Sequence, residues 1–305
     1  MFYRLLVRLS RLVGLWLVRV SAAIIAAGYF VLLPGRRRAS VTFYRALFPE
    51  RSPRFALACA WRQYQDFARL YTERLEIERR ADIRFESEGE EPLAEVRAAG
   101  LGAILLMSHF GRWEIGARLF GKRHPGLTLV MGGLGAGGAR GGVDEALRLA
   151  GVDVVTVADG QGQPVDILQA VQGLRKGGVV SLAADRAYGD ARMLYLPFLG
   201  QRVAVTAAPF ALALASHAPL FIVFAVKLGP RHYRFTCDPP MLLRAPTRED
   251  REKVMEQAAT RYLQRLHEMA RAHPEQWQTF GEFLVPSPHE QPPVPSPRAA
   301  GRGLG

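Results

Sequence analysis

The sequence predicts an α/β fold: a mainly parallel sheet with helices on both faces, preceded by an N-terminal membrane-associated helical segment. Short apolar runs alternate with helical patterns from about residue 83 onward. Such alternation favours parallel strands, because each helix crosses over the sheet between two strands. An apolar stretch precedes these units, and 305 residues with 49% apolar side chains can bury a sizeable core.

The first 38 residues have the pattern of a membrane-associated segment. Residues 12–33 carry no charge except one arginine, and the upstream arginines share an arc of roughly 80° on a helix: Arg4, Arg8, Arg11 and Arg19. No small-residue cleavage site follows, as a secretory signal peptide would require. Instead Arg36, Arg37 and Arg38 end the run. The arginine excess on that side predicts that the main domain is cytoplasmic.

An α/β domain is predicted at residues 39–285, followed by a disordered Pro/Gly-rich tail at 286–305. Its predicted helices are Val41–Phe48, Pro53–Glu78, Pro92–Ala99, Glu114–Lys122, Val143–Ala150, Val165–Lys176, Ala204–Ser216 and Arg248–His273. Its predicted strands are Ile83–Glu86, Ala103–Ser108, Leu127–Met131, Asp153–Val157, Val179–Ala184, Leu220–Val226 and Tyr233–Cys237.

Charge and cysteine content narrow the classes of partner. A net charge of +12 favours anionic partners, namely lipid headgroups, an acidic carrier protein or nucleic acid. Nucleic acid is the least favoured of these, because no recognition motif is present. The two cysteines form no CxxC pair and no Cys/His cluster with zinc spacing. Neither a disulfide framework nor a structural metal is therefore predicted.

The strongest local signal runs from Ser108 to Glu114. His109 follows a buried strand, at the sheet edge where parallel α/β proteins form their sites, and suits a general base for an alcohol. Glu114, in the first turns of the next helix, is expected to bond the other ring nitrogen and fix the tautomer. Helix N–H groups there can hold an oxyanion or phosphate. Alternatively, His109 caps the helix and Glu114 is solvated; Ser108 lacks a nucleophile's Gly-x-Ser-x-Gly setting.

A second polar pair, Asp185 and Arg186, follows the predicted strand Val179–Ala184. Arg186 could bind a phosphate or a developing oxyanion, with Asp185 holding the guanidinium in place. Arg112 is the other candidate cation for this purpose. A simple salt bridge in a loop would explain the pair equally well. The segment Leu196–Gly200 then reads as an apolar turn before a helix.

A glycine-rich stretch offers a rival interpretation. Gly133, Gly135 and Gly138 satisfy GxGxxG after a strand, and Asp159 stands where a ribose-binding acid would be expected. This pattern would indicate an NAD(P)-binding oxidoreductase. However, seven of the eleven residues from Gly132 to Gly142 are glycine, which is more typical of a loop than of a tight phosphate-binding turn.

Together these blocks resemble the lipid A biosynthesis lauroyl/myristoyl acyltransferases, within the wider lysophospholipid-acyltransferase-like group. The resemblance covers roughly residues 10–285 and rests on four blocks in the family's order: His109-Phe-Gly-Arg-Trp-Glu114, Asp185-Arg186, Pro197-Phe-Leu-Gly200 and Pro274-Glu-Gln-Trp277. One departure is Asp185-Arg in place of Asp-Gln. Another is the glycine-rich stretch, which replaces a segment bearing the family's second arginine and leaves Arg140 and Arg148 as candidates.

The resemblance implies a membrane-bound O-acyltransferase with His109 as base and Glu114 as its partner. It implies acyl carrier protein or acyl-CoA as donor, an anionic membrane surface, and no metal or redox cofactor. The expected acceptor is a hydroxyl of a lipid A precursor or related glycolipid, with a lysophospholipid or aminolipid as alternative. A non-catalytic membrane-binding protein is the remaining alternative of another class.

Overall fold

The computed structural model describes residues 14–79, 82–132, 141–157, 171–186, 191–279 and 284–285. The strands are β1 (Arg84–Glu88), β2 (Ala103–Met107), β3 (Leu127–Gly132), β4 (Val152–Val157), β5 (Val179–Ala183), β6 (Met193–Phe198), β7 (Gln201–Thr206), β8 (Leu220–Gly229), β9 (His232–Cys237) and β10 (Leu284–Val285). The helices are α1 (Leu15–Leu32), α2 (Pro34–Leu47), α3 (Pro53–Arg79), α4 (Glu91–Ala98), α5 (Trp113–Arg123), α6 (Gly141–Leu149), α7 (Ala208–Ser216) and α8 (Asp250–Ala272). The GxGxxG glycines, Asp159 and Arg140 lie outside the described residues.

The main sheet has seven strands in the order β1-β9-β8-β2-β5-β3-β4. All its neighbours are parallel except β8 and β9, which form an antiparallel pair. The predicted mainly parallel sheet is therefore confirmed. Its central strand β2 is buried along its whole length, as expected for a strand covered on both faces.

Helices cover both faces of this sheet, as predicted. Successive side chains of a strand point to opposite faces. Accordingly, Ile104 and Leu106 of β2 join a core with apolar residues of α1, α2, α3, α7 and α8. Leu105 and Met107 join a second core with residues of α4, α5 and α6. The sheet thus separates two apolar cores.

One predicted helix begins later than expected. The sequence predicted a helix from Ala204, but residues 193–206 form the antiparallel hairpin β6–β7, and α7 begins only at Ala208. The expected turn at Leu196–Gly200 is the end of β6 with the hairpin bend, where Leu199 and Gly200 have positive φ. Alternating burial in β6 shows a half-buried strand, and Pro209 suits the first turn of α7.

The amino-terminal helix α1 packs along α3. Phe30 contacts Trp61 and Tyr64 edge-to-face, at centroid distances of 5.3 and 5.2 Å, while Arg19 forms an ion pair with Glu76. These contacts run in opposite sequence order, so the two helices are antiparallel. Among the described residues, α1 is the helix long and apolar enough to cross a membrane, with mean hydropathy 2.0 and 17% burial. Core helices and signal sequences can share these properties, so this is weak evidence of membrane association.

Candidate active site

The site forms where β2 and β5 end side by side. Met107 and Ala183 are register partners in this parallel pair, and His109 and Asp185 each follow two residues later. The His109 ring Nδ1 lies 2.9 Å from Asp185 Oδ1. The His109 backbone N–H donates to Asp185 Oδ2 at 2.8 Å. One carboxylate therefore fixes both the backbone and the ring of His109.

The Asp185 carboxylate is held ionised in a nearly dry setting, with only 2% of its side chain exposed. Trp277 Nε1 donates to its Oδ2 at 3.0 Å. Burial alone would raise the pKa of Asp185, but the charge of His109 and the hydrogen bonds from His109 and Trp277 outweigh it. The resulting pKa lies below the usual aspartate value. Gln63 Nε2 in turn donates to the Trp277 carbonyl at 2.5 Å.

Residues 276–278 hold the loop that carries His109. Gly111 N–H donates to the Gln276 carbonyl at 2.8 Å, and Gln278 N–H donates to the His109 carbonyl at 2.9 Å. The Gln278 side-chain amide also donates to the Gly111 carbonyl at 2.9 Å. We call residues 276–278 the strap. The sequence analysis noted Trp277 only as part of a family block, because no local pattern shows which loop this segment contacts.

Arg112 lies in a buried charge cluster rather than at a binding surface. Its side chain has no exposed area, and all three guanidinium nitrogens donate to carboxylates of α3. The pair with Asp66 is bidentate, at 2.7 and 2.8 Å, and Nε donates to Glu73 at 2.5 Å. Because these donors are engaged inside the protein, the predicted oxyanion- or phosphate-binding role of Arg112 is not supported.

The cluster is balanced in charge by a second cation. Lys227 of β8 forms an ion pair with Glu73. Burial opposes charge on both Glu73 and Arg112, yet their partners dominate. Attraction to Arg112 and Lys227 leaves the pKa of Glu73 below its usual value, and Asp66 and Glu73 raise the pKa of Arg112. We call Asp66, Glu73, Arg112 and Lys227 the buried cluster.

Glu114 lies in the first turn of α5 and forms an ion pair with Arg74 of α3. Only 10% of the Glu114 side chain is exposed, and the Arg74 guanidinium lies 5.0 Å from the Tyr71 ring centroid. The role of Glu114 as partner of the histidine stays a prediction. Asp185 occupies Nδ1 of His109, since β5 brings it to the same sheet edge.

Arg186 remains a candidate cation beside the pair. Its side chain is exposed, and Nη2 lies 3.5 Å from the Gln278 carbonyl of the strap. The predicted task of Asp185 was to hold Arg186, but both Asp185 carboxylate oxygens bond His109, and one also accepts from Trp277. Arg186 is thus placed next to the site while Asp185 serves the histidine.

The start of α5 is pressed closely onto β8. Gly111 has φ of 65°, and a Cβ there would lie 2.1 Å from the Ala225 carbonyl oxygen. Arg112 N–H donates to that same oxygen at 2.6 Å. The first N–H groups of a helix have no carbonyl partner within the helix. Their proximity in sequence to His109 makes this end of α5 a suitable donor group for an oxyanion.

These features place a histidine bonded to a buried carboxylate at the carboxyl edge of a parallel sheet. Residues 36–282 match the family model of the bacterial lipid A biosynthesis acyltransferases. Since this match covers most of the chain, the protein belongs to that family and is an acyltransferase of the lipid A type. The family suggested by the four sequence blocks is confirmed. No curated protein matches the chain.

Proposed function

We propose that the protein transfers a fatty acyl group from a carrier thioester to a hydroxyl of a lipid A precursor or related glycolipid. The observation that carries this proposal is the His109–Asp185 pair, with Nδ1 and Oδ1 at 2.9 Å, in a chain of the acyltransferase family. Because Nδ1 is committed to Asp185, the proton acceptor is Nε2. A histidine held in this tautomer can act as a general base.

The reaction then follows without a covalent enzyme intermediate. Nε2 of His109 takes the proton from the acceptor hydroxyl while its oxygen attacks the thioester carbonyl. The tetrahedral intermediate collapses by breaking the C–S bond, and the imidazolium returns its proton to the departing thiolate. The products are an ester and a free carrier thiol. Asp185 stabilises the imidazolium formed between these steps, as an orienting carboxylate does in serine hydrolases.

The oxyanion needs donors that are free to face the substrate. We propose the first N–H groups of α5 together with the exposed guanidinium of Arg186. Arg112 is left out, because its nitrogens are engaged by Asp66 and Glu73. Glu114 stays in the proposal as a second carboxylate of the site, one that acts through Arg74.

The membrane supplies the acceptor in this proposal. Only 17% of the residues of the apolar helix α1 are buried, and a net charge of +12 attracts both anionic headgroups and an acidic carrier protein. The excess of arginines after α1 supports a position of the α/β domain on the cytoplasmic side of the inner membrane. This charge favours acyl carrier protein over acyl-CoA as the donor, since a carrier protein offers a larger acidic surface.

The test is acyl transfer by the full-length protein in detergent. Radiolabelled acyl-carrier protein and acyl-CoA are each supplied with a lipid A precursor, a lysophospholipid or an aminolipid, and the lipids are then separated. We expect label in the lipid A precursor or a related glycolipid as an alkali-labile ester, with the carrier protein as preferred donor. Asp238→Asn serves as a folded control, since Asp238 pairs with Arg265 away from the His109 loop. Equal label from His109→Ala would contradict the proposal.

A further inference from the structure

A cavity of about 410 Å³ lies between α1 and α3. Its walls are almost entirely apolar, and the residues that define its course are Val18, Ala22, Ile25, Phe67, Tyr71 and Arg36. Among the described residues that line it, none is a carboxylate and Arg36 is the one cation. A long apolar cavity with a single positive charge is complementary to a hydrocarbon chain that carries an anionic head.

The cavity has a direction. The lining residues of α1 extend from Val18 to Tyr29, which is about 16 Å along a helix axis. Tyr71 lines the end near the catalytic loop, where Arg74 stacks on its ring and pairs with Glu114. Arg36 follows the carboxyl end of α1 and therefore marks the opposite end. An anionic head bound at Arg36 would lie away from the reacting groups.

The surface around the cavity is suited to lipid. On α1, Ile24 is 65% exposed, Ile25 is 54% exposed and Leu32 is 76% exposed. An exposed apolar face of this kind marks a contact with a membrane or with a partner protein. Arg37 and Arg38 stand beside Arg36 at the start of α2, the position of headgroup-binding arginines at the end of an apolar helix.

We propose that this cavity binds one acyl chain of an anionic bilayer phospholipid, whose phosphate contacts Arg36. The lipid is a bound membrane component and not the acyl acceptor, because its head would lie at the end remote from His109. It would hold α1 and α3 at the bilayer surface. This inference goes beyond the proposed function and does not depend on acyl transfer.

Photolabelling of the full-length protein in phosphatidylcholine vesicles tests the proposal. The probes are phosphatidylglycerol and phosphatidylcholine that carry the same photoreactive group in one acyl chain, and labelled peptides are mapped by mass spectrometry. We expect phosphatidylglycerol to label residues 18–29 and 64–71 about fivefold more than phosphatidylcholine does, since one arginine near a lipid surface contributes about 1 kcal/mol.

Two matched pairs of variants assign the contacts. Ala22→Phe fills the cavity and should remove most labelling of these peptides, whereas Ile24→Phe changes an exposed residue of the same helix that does not line it. Arg36→Gln should lower phosphatidylglycerol labelling to the phosphatidylcholine level, and Arg38→Gln should not. Ala68→Leu fills the cavity from α3 and replaces Ala22→Phe if that variant fails to fold.

Three results would overturn the proposal. Equal labelling by both probes would remove the preference for an anionic headgroup. Equal losses in Arg36→Gln and Arg38→Gln would show diffuse attraction to the membrane surface. Labelling that is unchanged by the cavity-filling variants would place the acyl chain elsewhere. None of these readings requires turnover, so failure of the proposed reaction is distinguishable.

Discussion

Two groups of buried charge flank the short loop after β2, and they differ in what they leave accessible. On one side, the His109–Asp185 pair keeps 10% of the histidine side chain exposed. On the other, the buried cluster leaves Arg112 with no exposed area and each guanidinium nitrogen bonded to a carboxylate. The two residues are three apart in the same motif, yet one side chain keeps some exposed area and the other has none.

The comparison shows that charge at a sheet edge is not sufficient evidence of a binding role. A buried cation whose donors all have partners holds the surrounding chain in position, because it has no donor left for a ligand and water is excluded. A histidine with one nitrogen held by an ionised carboxylate keeps its chemistry at the other nitrogen. The strap residue Trp277 belongs with the His109–Asp185 pair, since its indole N–H donates to Asp185. The following predictions separate the two groups by function and by stability.

The largest expected effect is on turnover. His109→Ala removes the general base, so kcat should fall by about 10²- to 10⁴-fold. The measurement is single-turnover transfer from saturating donor, with circular dichroism to confirm the fold. Turnover within a few-fold of wild type would place the proton acceptor elsewhere in the site.

The second effect is on stability. Arg112→Met leaves the carboxylates of Asp66 and Glu73 buried without their main partner, which should cost about 3–5 kcal/mol in the free energy of unfolding. Denaturant unfolding of the detergent-solubilised protein measures this. Arg265→Met is the control, because Arg265 is 30% exposed in its pair with Asp238 and an exposed pair contributes about 1 kcal/mol or less. Similar costs for both variants would contradict the assignment of the cluster as a structural element.

The third effect concerns Glu114, the second carboxylate of the proposed site. If Glu114 acts through Arg74, then Glu114→Gln and Arg74→Gln should each lower kcat/KM by about 10- to 100-fold, the value of a hydrogen bond to a charged group. The double variant should lose little more than either single variant, because both remove one interaction. Additive losses in this double-mutant cycle would show that Glu114 contacts something other than Arg74 during the reaction.

The fourth and smallest effect is a shift with pH. The pKa of Asp185 is lowered in the folded protein, so its carboxylate adds stability above the usual aspartate pKa of about 3.9, and this stability is lost as pH falls through the folded value. Trp277→Phe removes one hydrogen bond that lowers this pKa. Melting temperatures followed from neutral to acid pH should therefore show an earlier loss in Trp277→Phe. A melting temperature that is lowered by the same amount at every pH would mean that Trp277→Phe only removes packing contacts.

Much of the site was predictable, and the part that was not depends on strand order. The sequence indicated both strands and placed His109 and Asp185 at their carboxyl ends, but β3 and β4 lie between β2 and β5 in sequence. No local sequence pattern shows that β2 and β5 are neighbours. The carboxylate nearest to His109 in sequence, Glu114, was therefore predicted to bond the histidine ring. Contacts of the strap are likewise made by loops distant in sequence, which carry no periodic pattern.

The burial of Arg112 was predictable from two carboxylates in the sequence. Asp66 and Glu73 are seven residues apart on one long predicted helix, so they lie on the same face. Two carboxylates on a helix with an aromatic stripe indicate a buried cation on a partner element. The hairpin β6–β7 was missed for another reason: Leu196–Gly200 was interpreted as a turn and the residues from Ala204 as a helix. Only the alternating burial of β6 indicates a strand there.

The most direct test of the account is acyl transfer by Asp185→Asn, measured as kcat/KM against pH beside the control Asp238→Asn. Asparagine keeps the size of the side chain but removes the charge that stabilises the imidazolium and fixes the tautomer. The account predicts a loss of about 10²- to 10⁴-fold in Asp185→Asn, with a fold preserved by circular dichroism, and near wild-type rates in Asp238→Asn. Rates in Asp185→Asn within threefold of wild type would contradict the claim that Asp185 orients His109.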